Sequence, residues 1–141
     1  MTRSPGWMRG AAVMEFALAW PVTLLLVLGC VELAVWEAEA FAARSAALAG
    51  ARAATVAGAG PGAAAAAALY ALAPSLVGAA AVIWCPGQPA APAGVWVCAT
   101  DLGSAVQVEV GGSVPALVPL VPGGGLPLHA YAVLQKETFA R

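Results

Sequence analysis

From Phe16 to Val31 the chain carries no charged residue. The surrounding run, RGAAVMEFALAWPVTLLLVLGCVELAVW at residues 9–36, holds one carboxylate near its start, Glu15. Counted from Ala11, it has about the 20 residues that a helix needs to cross a hydrocarbon core. A segment this apolar has few destinations other than lipid or a deep core. Arg3 and Arg9 precede the uncharged stretch, and Glu32, Glu37 and Glu39 follow it. Positive flanks resist translocation, so the short N-terminal side reads as cytoplasmic and the chain from about Trp36 onward as extracytoplasmic. That layout predicts a single-pass protein in the cell membrane.

Glu15 is the anomaly in this run. A carboxylate at mid-membrane costs roughly 2.5–3.5 kcal/mol on insertion scales, and less near the interface. A snorkelling residue at the bilayer edge is the plain reading. The spacing offers another. Gly10 stands five residues before Glu15, and a basic leader precedes Gly10. The stretch G-A-A-V-M-E-F resembles the type IV prepilin cleavage motif, a glycine, four residues, a glutamate and then an aromatic. The resemblance implies that a prepilin peptidase cuts between Gly10 and Ala11. It also implies that Glu15 meets the new N-terminal amine of a neighbouring subunit, with Phe16 and Pro21 in the assembly helix. Pairing would offset the cost of burying the carboxylate.

Within that superfamily the chain looks most like the TadE-like minor pilins of tight-adherence pili. RGAAVMEFALAWPVTLLL carries the likeness, through Arg9, Gly10, Glu15, Phe16 and Pro21, and ARSAALAGARAATVAG at residues 43–58 extends it more loosely. Phe16 stands where the family often has tyrosine, and no motif beyond residue 60 matches. What the resemblance implies is a pilin-like protein of α+β class. Residues 1–10 form a leader, 11–36 a transmembrane and assembly helix, 37–60 a helical stem, and 61–141 a small head with an antiparallel sheet. Its implied partners are other pilins and minor pilins, the prepilin peptidase, the inner-membrane pilus assembly machinery and membrane lipid. Incorporation into a surface pilus follows from the same likeness.

Composition narrows the remaining classes. Hydrophobic residues make up 62% of the 141 and charged residues 9%, too apolar for an ordinary soluble domain. Removing Arg3 and Arg9 with the leader takes six basic residues to four, against seven acidic. No basic patch survives, so nucleic acid is not an expected partner. Of the three cysteines, Cys30 lies in the apolar run and reads as a buried, inert thiol. Cys85 and Cys98 form an even pair outside the membrane, which suggests a disulfide. A structural zinc needs about four ligands, and only His129 is there to join that pair, so no metal and no cofactor is expected.

Met1 to Gly10 is a short polar leader in which Pro5 and Gly6 read as helix breakers. A secretory signal peptide is the rival reading, with Phe16–Leu28 as its core and Ala38-Glu39-Ala40 as its cleavage site. Pro21 deletes one helical hydrogen bond and predicts a gentle kink. From Val31 to Gly58 helix formers dominate without a turn signal, so the membrane helix is expected to continue outward as a stem. Small residues recur every four positions: Ala34, Ala38, Ala42, Ala46, Gly50, Ala54 and Gly58. The row drifts by about 40° per step, so it suits an oblique helix crossing. Gly58-Ala59-Gly60-Pro61-Gly62 reads as a helix stop; no strand precedes it and no Lys-Ser/Thr follows, which argues against a phosphate loop. Ala63–Ala73 reads as a short helix closed by Pro74, docking through Leu69, Tyr70 and Leu72.

Beyond residue 80, β-branched and aromatic residues alternate with turn formers. Ala81–Cys85, Val95–Ala99 and Ala105–Val110 read as strands, 86–94 as a proline-rich loop, and Gly111-Gly112 as a turn. Leu117–Val121, flanked by prolines, reads as an edge strand at most. Gly123-Gly124-Gly125 is the next turn and Leu128–Gln135 the last strand. Glu109 and Glu137 read as solvent-facing. Ser113, His129 and Asp101 compose a nominal triad without a G-x-S-x-G elbow, so enzymatic activity is not expected. Three readings remain: a processed minor pilin, an unprocessed anchored binding module with a disulfide-closed head, and a small secreted protein released after Ala40.

Overall fold

The computed structural model describes residues 6–56, 59–118 and 121–136, with side chains from Val13 onward. Residues 1–5 of the leader, Gly58 and Glu137 therefore lie outside the described residues. The first element is one uninterrupted 50-residue helix, α1, Gly6–Thr55. At 1.5 Å per residue it runs about 75 Å. Gly6 opens this helix and does not break it, and Pro21 sits inside it. The helix ends at Thr55, slightly before the expected glycine stop. The second helix, α2, Pro61–Leu72, starts from Gly60 as its N-cap, with proline in its first turn. That position suits proline, whose missing N–H is one the helix start leaves unpaired anyway. A 3₁₀ turn, Ala73–Ser75, carries Pro74 and closes it.

Four strands follow: β1 Ala81–Ile83, β2 Val95–Asp101, β3 Ala105–Pro115 and β4 Gly125–Gln135. They form one sheet in the order β1-β2-β3-β4. β2, β3 and β4 are antiparallel neighbours, but β1 pairs with β2 in parallel, Ala81 opposite Val95. The proline-rich 86–94 loop makes this pairing feasible by carrying the chain back alongside its own strand. The expected all-antiparallel head is therefore mostly antiparallel.

Gly111 and Gly112 do not turn the chain. They lie within β3, facing Trp96 and Val95 on one side and His129 and Leu128 on the other. Their role is close approach. A Cβ at Gly111 would meet the Trp96 ring at 2.4 Å, and one at Gly112 would meet the Gly94 carbonyl oxygen at 2.2 Å. The sequence signal of a paired glycine was real, but it marked crowding and not reversal. Of the edge strand expected at Leu117–Val121, Leu117, Val118 and Val121 are bent chain, and residues 119–120 lie outside the described residues.

The core lies between the helices and one sheet face. Helices contribute small residues, Ala43, Ala46, Ala47, Ala51 and Ala54 from α1 and Ala64, Ala65 and Ala68 from α2. The sheet contributes the larger ones, Val95, Val97, Val106, Val108 and Val110. Leu72 is the large helical side chain that is fully buried. Small helix surfaces let backbones approach, and branched valines fill a pleated face without much loss of rotamer freedom. Gly50 marks the tightest crossing, because a Cβ there would stand 2.6 Å from the Ala64 carbonyl oxygen and 2.8 Å from Ala68 Cβ.

Candidate functional site

The candidate site is α1 itself, which divides into two halves by exposure. From Val13 to Leu28 every side chain is exposed, including Leu18 at 72% and Leu26 at 66%. Glu15, Phe16 and Pro21 all lie on this bare half. Phe16 stacks on Trp20 one turn later, with ring centroids 6.0 Å apart. The Thr23 hydroxyl donates to the Ala19 carbonyl at 2.9 Å, a local bond beside Pro21. Gly10 and Ala11 lie in the first turns of α1, ahead of the described side chains. Cys30 is a free thiol, exposed on the isolated chain and so not buried as expected. Among the described residues no element covers the apolar run that surrounds it.

Beginning at Glu32 the same helix carries the head. Glu32 and Glu39 are buried, at 7% and 3% exposure. Both Glu32 oxygens accept the Leu117 N–H, at 3.1 and 2.8 Å, and Oε2 also accepts the Val118 N–H at 3.0 Å. Glu39 Oε1 accepts the Val77 N–H at 2.8 Å. Between them the Trp36 indole donates to the Pro127 carbonyl at 3.0 Å. A buried carboxylate is tolerable when hydrogen bonds replace its water, and these loop amides do so. In the sequence Glu32, Glu37 and Glu39 are simply the three acids that follow the apolar run. The helical period separates them: 32, 36, 39 and 43 share a face, and Glu37, off that face, is exposed. That spacing was the available signal.

The small-residue row follows the drift expected of it. Ala34 and Ala38 are exposed, whereas Ala46, Gly50 and Ala54 are buried against α2 and the sheet. Its outer half thus packs within this chain. The expected dock through Tyr70 is not made, since Tyr70 is 86% exposed, while Leu72 is buried.

On the far face of the sheet, Cys85 and Cys98 are joined in a disulfide. Beside it Trp84 meets Trp96 edge-on, with centroids 5.5 Å apart. Glu109 is not simply solvent-facing, because its Oε1 lies 2.9 Å from His129 Nε2. Lys136 Nζ donates to both Asp101 oxygens at 2.7 Å, and the Gly103 N–H donates to Oδ1 at 2.8 Å. The Lys136 hydrogen bond, then the Gly103 amide, hold the Asp101 carboxyl below its ordinary value. The nominal triad is not assembled: Asp101 is paired opposite Val106 and bound to Lys136, toward the other end of the sheet from Ser113. A groove of about 540 Å³ at residues 78–80, 82, 92–94, 113–115 and 123–125 has Ser113 as its polar side chain. Among the described residues no three His, Cys, Asp or Glu side chains gather as metal ligands.

A long apolar N-terminal helix laid against a four-stranded, mostly antiparallel, disulfide-bonded sheet is a pilin-like architecture of α+β class. No family model, curated protein or solved structure matches the chain.

Proposed function

We propose that the chain is a membrane-anchored minor pilin of a tight-adherence pilus, processed after Gly10 and not an enzyme. The observation that carries the reading is the division of α1. Its first half is apolar, exposed and long enough to cross a membrane, and its second half is built into the head. In this reading the N-terminus is cytoplasmic, the disulfide-closed head is extracytoplasmic, and the partners are other pilins, the prepilin peptidase, the assembly machinery and lipid. The structure also bears on the secreted alternative. A cut after Ala40 would remove Glu32, Trp36 and Glu39, each of which bonds to the head. Such a product would strand the Leu117 and Val77 amides.

The mature N-terminus is the test. Mass spectrometry of protein from its native host is expected to find Ala11 first, in a product ten residues shorter than the 141-residue chain. An intact N-terminus beside an active prepilin peptidase would favour the unprocessed anchored module. Phe41 as first residue would favour the secreted protein. The pairing of Glu15 has its own measurement. Glu15→Gln removes one charge of a pair whose partner amine is then left buried. Its content in sheared fibres, relative to its membrane pool, is expected to fall below wild type; equal incorporation would sink the pairing.

A further inference from the structure

We infer that the head makes a second, shallow contact with the outer lipid interface through the turn at Leu117, beside the point where α1 leaves the bilayer. The inference rests on the membrane-anchor reading of α1. Ala11–Val31 is 21 residues of helix, about 31 Å long, which matches a hydrocarbon core of about 30 Å. Glu32 is the next residue, and so stands at the outer boundary. The head is tied at that level: the amides of Leu117 and Val118 are both bonded to the Glu32 carboxylate. One turn further out, Trp36 holds the Pro127 carbonyl. Among the described residues of the head, Leu117 and Val118 are therefore the ones bonded to α1 nearest the membrane.

Its chemistry suits that position. Residues 110–128 contain no charged side chain. Leu117 is 52% exposed. A single exposed leucine on a soluble surface needs no explanation. Here its height relative to the apolar run is fixed by hydrogen bonds. A backbone approaching lipid must have its polar groups satisfied, and the two amides at the turn already are. Glu32 thus does two things: it seats the head on α1 and it removes the donors that would keep the turn in water.

The test uses the full chain in phospholipid vesicles with Cys30 replaced by serine. Leu117→Cys, Val22→Cys and Tyr131→Cys are each labelled with an environment-sensitive fluorophore. Nitroxide lipids then report depth, shallow at the headgroup or deep in the acyl chains. The Val22 label is expected to be quenched by deep nitroxides. The Leu117 label is expected to respond severalfold more to shallow than to deep ones, as at a depth of about 5–10 Å. Tyr131, exposed on the far face of the sheet, serves as the solvent reference. If Val22 is quenched and Leu117 behaves like Tyr131, the lipid contact is wrong and the anchor stands. If Val22 itself is unquenched, the anchor reading fails and the lipid contact with it. Shielding of Leu117 that needs crowded protein and vanishes on dilution into lipid would assign the turn to a second copy of the chain and overturn the inference.

Discussion

Single carboxylates set the geometry of this protein. Glu32 is the clearest case, since one side chain satisfies two amides of a loop 85 and 86 residues away in sequence. Removing it leaves those donors without their acceptor beside a buried helix face. Bonds to a charged group contribute about 1.5–3 kcal/mol, so Glu32→Ala is expected to destabilise the head by about that much. Denaturant unfolding in mild detergent measures it, and Glu37→Ala, on the exposed side of α1, should change little. Asp101 works through charge at the surface. Its folded value is depressed, so its contribution is complete above the ordinary 3.8 and is lost as pH falls through the lowered value. Lys136→Ala is expected to move the Asp101 titration upward. It should stay below the ordinary value, because the Gly103 amide remains. A carboxyl-carbon NMR titration reads this directly, and an unmoved titration would show that the Lys136 contact does not persist in solution.

At the scale of elements, the contact between α1 and α2 depends on the absence of side chains. Gly50 faces the Ala64 carbonyl and Ala68 Cβ, and both are too near for a methyl group. A helical Gly→Ala change normally gains about 0.5–1 kcal/mol from backbone entropy. At Gly50 that gain is opposed by overpacking worth about 1–3 kcal/mol against backbone that cannot rotate away. Gly50→Ala is therefore expected to lower the thermal midpoint of the head. Gly29→Ala is the control, since nothing lies within 4 Å of the added carbon. A Gly50→Ala protein as stable as wild type would mean that α2 sits further from α1 than it does here.

The whole molecule is a head with a modest core, mounted on a helix that only half belongs to it. The sheet supplies seven of its positions as valine and leucine that are at most 3% exposed: Val95, Val97, Val106, Val108, Val110, Val114 and Leu128. The facing helices offer mainly alanine, which buries little area per residue. A covalent staple matters more in such a head. The Cys85–Cys98 bridge ties β2 to the chain just after β1, where the proline-rich loop begins. In the chain-entropy model a loop this short contributes about 3 kcal/mol. Cys85→Ser with Cys98→Ser is expected to lose about that in denaturant unfolding. If the loss is near zero, the sheet does not need the staple.

The sequence by itself determined what local periodicity and composition control. The uncharged run, the helix that continues past it, the change to strands beyond residue 80 and the even cysteine pair were all legible, because each is a property of neighbours along the chain. The glycines were half legible. Gly111-Gly112 announced a constraint, but whether a glycine bends a strand or admits a neighbour depends on what lies across the ladder, here Trp96 and Gly94. The parallel pairing of β1 was not legible, since pattern fixes which residues extend and not which edge they join. Nor was the separation of Glu32 and Glu39 from Glu37. Their spacing named the face, but only the docked head gave that face amides to bind. A carboxylate on a helix is a solvated charge until another part of the chain arrives with donors, and that arrival is decided by the tertiary structure.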